Sequence, residues 1–160
     1  MKKLYKLSQL AKIIQEHKKG GQKIVLANGC FDLIHVGHIR YLKESKKKGD
    51  VLVLALNSDS SIRELKGEGR PILNEEERVE ITSSFYFVDY ITFFDEPNVE
   101  KVLLAMKPDI HAKGSDYTKE TVPEKETVKG YGGAIAITGG PKIKSTSELI
   151  KEIASKIKDK

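Results

Sequence analysis

The 160-residue sequence contains a single cysteine, Cys30. An intramolecular disulfide is therefore impossible, and this scarcity of cysteine is typical of proteins in a reducing compartment. No apolar stretch approaches the ~20 residues that a membrane-spanning helix requires. Residues 1–21 are basic, but they lack the continuous apolar run and the small-residue cleavage site of a signal peptide. These absences predict a cytoplasmic protein that does not enter a membrane.

A concentrated basic surface is also missing from the sequence. Lys and Arg number 28 against 23 Asp and Glu, which gives a net charge of +5. The basic residues are scattered, and they are not interleaved with aromatic residues as in proteins that track a nucleic-acid strand. The charge alone is compatible with solvated helix faces, and it favours a phosphate-bearing small molecule over DNA or RNA. We expect no nucleic-acid partner.

Short apolar runs rich in β-branched residues are what the chain does contain. Most are continuous rather than alternating, which is typical of strands buried on both faces of a parallel sheet. Segments with helical spacing lie between them, so the order of elements predicts an α/β sheet flanked by helices in a single domain, residues 1–160. An N-terminal helix within residues 1–22 precedes the first strand. The predicted strands are 24–27, 51–56, 90–94, 109–113 and 134–138, and the predicted helices are 7–19, 36–48, 74–85, 99–106 and 145–157.

The segment NGCFDLIHVGHIRYL, residues 28–42, lies where the first predicted strand gives way to a helix. Ligands of open α/β sheets bind at the carboxyl ends of the strands. The helix start presents free N–H groups and a positive dipole end there. His35 and His38 are one turn apart, so their rings can face the same way, and Gly37 removes side-chain bulk between them. The pattern predicts a polyphosphate-binding site.

Metal binding and a purely structural role are the alternatives for these histidines. Structural zinc sites use four ligands in paired clusters, whereas Cys30, His35 and His38 give three at irregular spacing. Two histidines that flank a glycine at a strand–helix junction are also an unusual arrangement for core packing. The other common phosphate-binding fingerprints, G-x-G-x-x-G and G-x-x-x-x-G-K-[ST], are absent from the sequence. We therefore predict phosphate binding and no protein-held metal.

The sequence GCFDLIHVGH resembles the signature of the nucleotidyltransferase superfamily, which carries a His-x-Gly-His motif on a Rossmann-like fold. In their order along the chain, GDVLVLALNSDSSIRELKGEGRPI, EERVEI, VDYITFFDE, KPDI, KGSDY, YGG and STSELI extend this resemblance to the D-glycero-β-D-manno-heptose 1-phosphate adenylyltransferase family. The resemblance covers nearly the whole chain. It implies that an oxygen of a sugar phosphate attacks the α-phosphate of ATP and expels pyrophosphate, with Mg²⁺ accompanying the nucleotide. It also implies a product, ADP-heptose, that is used for the lipopolysaccharide core, and a possible homodimer.

The expected site residues fall into three groups that follow from this resemblance and from the predicted strand and helix ends. We expect His35, His38 and Lys66 to be catalytic and Lys66, Arg70 and Arg78 to bind the acceptor phosphate. The base is expected between residues 114–117 and the approach to the last helix. The residues expected to bind the nucleotide are Asn28, Gly29, Cys30, Phe31, His35, Gly37, His38, Asn57, Asp59, Lys113, Gly114, Asp116, Ser145, Thr146 and Ser147.

Two other functions are compatible with the same sequence. One is a cytidylyltransferase that acts on glycerol 3-phosphate or another alcohol phosphate; such enzymes usually carry an R-T-E-G-I-S-T segment before the last helix, where this chain has I-K-S-T-S. The other is a nucleotide-binding regulator without turnover, against which the intact His35, Gly37 and His38 argue. Pyrophosphate release with candidate substrates distinguishes all three functions.

Overall fold

Five parallel strands form one sheet in the computed structural model, which describes residues 2–158. The strand order is β3-β2-β1-β4-β5, and the helices connect successive strands across the two faces of the sheet. This confirms the predicted α/β class. The elements are α1 (Leu7–Lys19), β1 (Ile24–Gly29), α2 (Val36–Lys46), β2 (Val51–Asn57), α3 (Asp59–Lys66), α4 (Glu75–Ser83), β3 (Tyr90–Phe94), α5 (Glu100–Met106), β4 (Ile110–Gly114), α6 (Lys125–Gly130), β5 (Ala134–Thr138) and α7 (Thr146–Lys158).

The central strands are apolar on both faces because each face is covered by helices. In β1, Ile24 and Leu26 contribute to a cluster that includes side chains of α1, α5 and α6. The alternate residues Val25 and Ala27 contribute to a second cluster, with side chains of α2 and β2 and with α4 at its margin. Side chains of a strand alternate between the two faces, so a continuous apolar run supplies both cores at once.

Helix ends largely follow the predicted signals. α4 begins with a capping box, in which the N–H of Glu77 donates to the side chain of Asn74 at 3.1 Å and the N–H of Asn74 donates back to Glu77 at 2.9 Å. The predicted end of α2 at residue 48, with Gly49 as its C-cap, is wrong, because the helix ends at Lys46. A Cβ at Gly49 would lie 2.6 Å from the carbonyl oxygen of Lys23, so this glycine permits a close backbone contact instead.

Two short helices, α3 and α6, were not among the predicted elements. Both are shorter than ten residues and contain at most two apolar residues, so each is too short to show a repeated apolar pattern of the kind on which a sequence-based assignment depends. Ser58 caps α3 by accepting from the N–H of Ser61 at 3.2 Å. Asp59, the first residue of α3, does not cap the helix, because its side chain pairs with Arg78.

The apolar stretch at residues 85–94 is mostly core. Val88 and Ile91 are completely buried and Phe87 nearly so, whereas Tyr86 is 82% exposed. No helix in the described part of the chain is both long and apolar enough to cross a membrane.

The strand order indicates where a ligand-binding site is expected in this sheet. The chain runs outward from β1 through β2 to β3, then crosses to the other side of β1 and continues through β4 to β5. β1 and β4 are therefore adjacent strands whose following segments leave in opposite directions. Ligands of such sheets bind in the crevice outside the carboxyl ends of these strands.

Candidate active site

Two adjoining cavities open above the carboxyl ends of β1 and β4. The smaller, of about 210 Å³, is lined by the histidine pair, the end of β4 and the approach to α7. The larger, of about 580 Å³, is lined by the ends of β1, β2 and β4 and by Lys66. Tyr41, Gly114 and Asp116 line both cavities, so a ligand in one lies directly beside a ligand in the other.

His35 and His38 form the entrance to α2. The N–H of Gly37 donates to Nδ1 of His35 at 3.1 Å, and the N–H of His35 donates to Nδ1 of His38 at 3.3 Å. The ring centroids are 4.0 Å apart. A backbone N–H can only donate, so both Nδ1 atoms are acceptors and we assign the proton of each neutral ring to Nε2. The pair therefore offers Nε2–H donors to a ligand in the smaller cavity.

The surroundings keep both rings neutral. Burial lowers the pKa of His35, and the carboxylate of Glu148 only partly opposes this effect. Burial, followed by the neighbouring His35, lowers the pKa of His38 to about 4. At neutral pH the two rings thus act as hydrogen-bond donors of fixed tautomer rather than as cations. Such preorganised donors suit a site where negative charge grows during a reaction.

Gly37 is required by this arrangement. A Cβ at this position would lie 2.8 Å from Cε1 and 2.9 Å from Nδ1 of His35. Any larger residue would displace the His35 ring from its hydrogen bond with the backbone. The sequence pattern suggested that a small residue is needed between the two histidines, and the structure gives the steric cause.

Hydrogen bonds from side chains of β4 and α2 fix the end of β1. The side chain of Asn28 bonds to Nε2 of His111 on β4 at 3.1 Å. Its backbone N–H donates to the hydroxyl of Tyr41 at 3.3 Å, and that hydroxyl donates to the carbonyl of Ala112 at 2.8 Å. Cys30 lines the larger cavity, and burial raises the pKa of its thiol. Asn28 and Cys30 thus project from a strand end that β4 and α2 hold in place.

The loop between α3 and α4 is fastened to the buried Asp32. This carboxylate accepts hydrogen bonds from Nε of Arg70 at 2.9 Å and from the backbone N–H groups of Ile72 and Leu73 at 2.9 and 2.8 Å. Lys66, the last residue of α3 before this loop, is exposed and lines the larger cavity. Asp32 therefore fixes the segment that follows this cation. The proposed role of Arg70 in phosphate binding stays a prediction.

Arg78 does not have the position expected of a phosphate ligand. Its side chain is completely buried, and its guanidinium donates to Asp59 at 2.8 Å. The same group donates to the carbonyls of Cys30 and Asn57 at 2.8 Å each and to that of Leu73 at 3.1 Å. The prediction that Arg78 binds the acceptor phosphate is wrong for this structure, because the guanidinium is enclosed and bonded within the protein. It ties the ends of β1 and β2 to α4.

Three residues expected to bind the nucleotide line neither cavity. The ring of Phe31 is buried, and its centroid lies 4.8 Å from that of His38. Phe31 therefore packs against the His38 ring on the side of the core. The carboxylate of Asp59 accepts hydrogen bonds from the guanidinium of Arg78 and from the N–H of Glu75. Ser147 is exposed on the first turn of α7. Of these, Phe31 and Asp59 contribute by positioning other groups.

The remaining expected residues come together as the strand ends predict. His35, Gly37, His38, Gly114, Asp116, Ser145 and Thr146 line the smaller cavity. Asn28, Gly29, Cys30, Asn57, Lys66 and Lys113 line the larger one, together with Gly114 and Asp116. Ser145 caps α7 by accepting from the N–H of Glu148 at 3.2 Å, and Asp116 forms an exposed ion pair with Lys142 at 3.2 Å.

Within residues 2–158, no group of three or more His, Cys, Asp or Glu side chains is placed to hold a metal ion. The smaller cavity instead combines neutral donors with the start of two helices. Such a site binds the oxygen atoms of phosphates through N–H groups and helix dipoles.

Comparison with known proteins agrees with this geometry. Residues 26–152 match the family model described as cytidylyltransferase-like. The crystal structure of the lipopolysaccharide core biosynthesis protein from Thermoplasma volcanium superposes with a TM-score of 0.61 and 36% identity, over 73% of this chain and 94% of that one. The chain belongs to the cytidylyltransferase-like family. It is accordingly a nucleotidyltransferase.

Longer relatives of this cytidylyltransferase-like chain are bifunctional. It is 46% identical over 151 residues to the bifunctional protein HldE of Geobacter metallireducens and 44% identical over 144 residues to that of Pelobacter propionicus. These matches cover 94% and 90% of this chain but only 31% and 30% of the relatives. The pantoate-β-alanine ligase of Francisella tularensis, at 19% identity and a TM-score of 0.68, shares the fold.

Sequence reasoning missed several groups at this cytidylyltransferase-like site. Tyr41 follows His38 by three residues on α2, and that helical spacing could have indicated that it faces the same crevice. Asp32 lies within the motif of residues 28–42, but nothing in the local sequence indicates that it holds a distant loop. Glu124, which lines the larger cavity, had no local signal, because only the fold brings it beside Lys113.

Proposed function

We propose that this nucleotidyltransferase joins ATP and D-glycero-β-D-manno-heptose 1-phosphate to give ADP-heptose and pyrophosphate. The observation that carries the proposal is the pair of adjoining cavities, one with the two Nε2–H donors of His35 and His38 and the other with the cations Lys66 and Lys113. The bifunctional HldE proteins and the lipopolysaccharide core biosynthesis protein support this substrate choice by their similarity.

In the proposed reaction, the triphosphate of ATP occupies the smaller cavity. The Nε2–H groups of His35 and His38 donate to its oxygens, and the start of α7 adds the backbone N–H of Thr146 and the positive end of the helix dipole. These donors stabilise the charge that develops as the bond to pyrophosphate breaks, which is the main requirement of phosphoryl-type transfer. Mg²⁺ enters with ATP as part of the substrate and neutralises phosphate charge.

The acceptor occupies the larger cavity in this proposal. Lys113 was expected to bind the nucleotide, but in this proposal it acts with Lys66: both attract the acceptor phosphate and hold one of its oxygens in line with the α-phosphate of ATP. A sugar phosphate is already an anion, so the attack needs no general base. Catalysis then depends on orientation, because two bound reactants in the right geometry react as one molecule.

Base selection is proposed to lie between residues 114–117 and the approach to Ser145, where the smaller cavity extends. ATP and CTP carry the same triphosphate, so only contacts to the base distinguish them. A site that leaves its own polar groups unpaired with the wrong base rejects that base. We expect kcat/KM for ATP to exceed that for CTP by at least ~30-fold, or about 2 kcal/mol.

A cytidylyltransferase acting on glycerol 3-phosphate is the second candidate, since the family model is itself described as cytidylyltransferase-like. The deciding experiment measures pyrophosphate release for four substrate pairs: ATP or CTP, each with heptose 1-phosphate or glycerol 3-phosphate. A preference for ATP with the heptose supports the proposal. A preference for CTP with glycerol 3-phosphate overturns it in favour of the second candidate, and no release with any pair would indicate a nucleotide-binding regulator.

A further inference from the structure

A buried ion pair lies in the wall of the larger cavity. Nζ of Lys113, on β4, lies 3.5 Å from Oε2 of Glu124, the residue before α6. The side chains are only 8% and 6% exposed, and both residues line the cavity. Charge-assisted N–H···O bonds usually measure ~2.7–2.9 Å. The pair is thus close enough for mutual attraction but too far apart for a good hydrogen bond.

Glu124 is left with unused hydrogen-bonding capacity. Its Oε2 is buried, yet it accepts no hydrogen bond from any residue between 2 and 158. Buried polar atoms are nearly always hydrogen-bonded, and an exception beside a cavity points to a ligand that supplies the partner. A carboxylate only accepts hydrogen bonds, so the missing partner is a donor such as a hydroxyl group.

Lys113 places a positive group beside this acceptor. Its Nζ lies 4.7 Å from the centre of the Tyr117 ring, and Tyr117 also lines the cavity. Burial lowers the pKa of Lys113, and the carboxylate of Glu124 opposes that shift and favours the charged ammonium. Lys66 is a second cation of the same cavity. The wall therefore combines cations that attract a phosphate with an anion that repels one.

A ligand with one phosphate and several hydroxyl groups could bind the cations through the phosphate and the carboxylate of Glu124 through a hydroxyl. We infer that Glu124 selects a polyhydroxylated acceptor by accepting a hydrogen bond from one of its hydroxyls, and that Lys113 positions the carboxylate for this contact. This inference rests on the proposed function, since it assigns the larger cavity to the acceptor. It goes further by naming the residue that distinguishes a sugar phosphate from a simple alkyl phosphate.

The test replaces Glu124 with glutamine, which keeps the shape, removes the charge that strengthens a hydrogen bond from a hydroxyl, and puts an amide NH2 in place of one acceptor oxygen. Glu126→Gln, at an exposed position of α6, is the matched control. For each protein, kcat/KM is measured with ATP and two acceptors, heptose 1-phosphate and an analogue that lacks one hydroxyl. In the wild type and Glu126→Gln, loss of the critical hydroxyl lowers kcat/KM by at least ~10-fold. In Glu124→Gln the two acceptors differ by less than about threefold, while KM for ATP is unchanged.

Equal discrimination in Glu124→Gln and the wild type would overturn the inference and leave the proposed function intact. If Glu124→Gln does not fold, Glu124→Asp, which keeps the charge but shortens the side chain by one methylene group, decides instead: it must narrow the difference in kcat/KM between the two acceptors relative to the wild type. If the wild type prefers glycerol 3-phosphate, the heptose assignment fails. The inference is then tested by the ratio of kcat/KM for glycerol 3-phosphate to kcat/KM for propyl phosphate. It stands only if this ratio is smaller in Glu124→Gln than in the wild type. Absence of turnover with every acceptor overturns both.

Discussion

The backbone N–H of His35 donates to the ring Nδ1 of His38 at 3.3 Å, so the first histidine of the motif fixes the tautomer of the second. Nδ1 of His35 is fixed in turn by the N–H of Gly37. The two rings are therefore oriented before a ligand binds. Preorganised donors need no rearrangement as charge develops, and this is the property that the proposed catalytic role requires.

Replacement of His38 by alanine should leave the fold intact and lower turnover by at least ~100-fold, the scale of removing one preorganised donor. Steady-state pyrophosphate release and circular dichroism are the measurements. His17→Ala on α1, away from both cavities, is the control and should retain wild-type turnover. An unchanged rate in His38→Ala, or simple unfolding, would remove the basis for a transition-state role.

Gly37→Ala should reduce kcat by about tenfold or more without loss of folding, because the added Cβ would lie 2.8 Å from the His35 ring and displace a donor. Gly130→Ala is the matched control, since a Cβ there meets nothing within 4 Å. Both variants are compared for kcat and melting temperature. Equal kcat in the two variants would show that the His35 ring position is not critical.

Arg78→Met should destabilise the protein by about 3–5 kcal/mol, since it leaves the carboxylate of Asp59 and three backbone carbonyls without their donor. Arg63→Met, at an exposed position of α3, should change stability by less than about 0.5 kcal/mol. Urea unfolding measures both. If Arg78→Met were as stable as Arg63→Met and raised only KM for the acceptor, the original phosphate-binding prediction would be restored.

Acid should destabilise the protein through His38 and His111. Burial lowers their pKa values to about 4 and about 3, from 6.5 in the unfolded chain. As the pH falls below 6.5 the unfolded state binds protons that the folded state excludes, so stability declines toward these folded-state pKa values. The loss is on the order of a few kcal/mol, at about 1.4 kcal/mol for each pKa unit.

The variant His111→Gln measures how much of the acid-induced loss of stability comes from His111 and how much from His38. Glutamine can still donate to Asn28 but does not titrate, so unfolding free energies measured between pH 7 and pH 4.5 should fall less in this variant than in the wild type. Parallel pH profiles for the two proteins would contradict the assignment of His111 as a titrating group in this range.

Chelation by EDTA should abolish turnover, and Mg²⁺ should restore it, because the triphosphate is handled as its magnesium complex. The melting temperature should not change, since no cluster of metal-binding side chains is present between residues 2 and 158. A large fall in melting temperature on chelation would instead indicate a structural metal ion.

The sequence by itself determined the class of fold and the position of the candidate phosphate site. Continuous apolar runs such as 51–56 are buried on both faces, and this property is local enough to read from the chain. The motif around Gly37 is also local: strand end, glycine and helix start are contiguous, so His35 and His38 could be assigned to one site. Helix boundaries with side-chain caps, such as Asn74 with Glu77, were equally readable.

Only the tertiary structure decided what the distant charged residues do. Arg78 and Lys66 look alike in sequence as cations near the motif, but one is completely buried against Asp59 and the other is exposed at the larger cavity. Glu124 meets Lys113 only because the chain that leaves β4 returns the residue before α6 to the end of that strand. The function of a charge depends on its burial and its partners, and both are set by contacts between residues far apart in the chain.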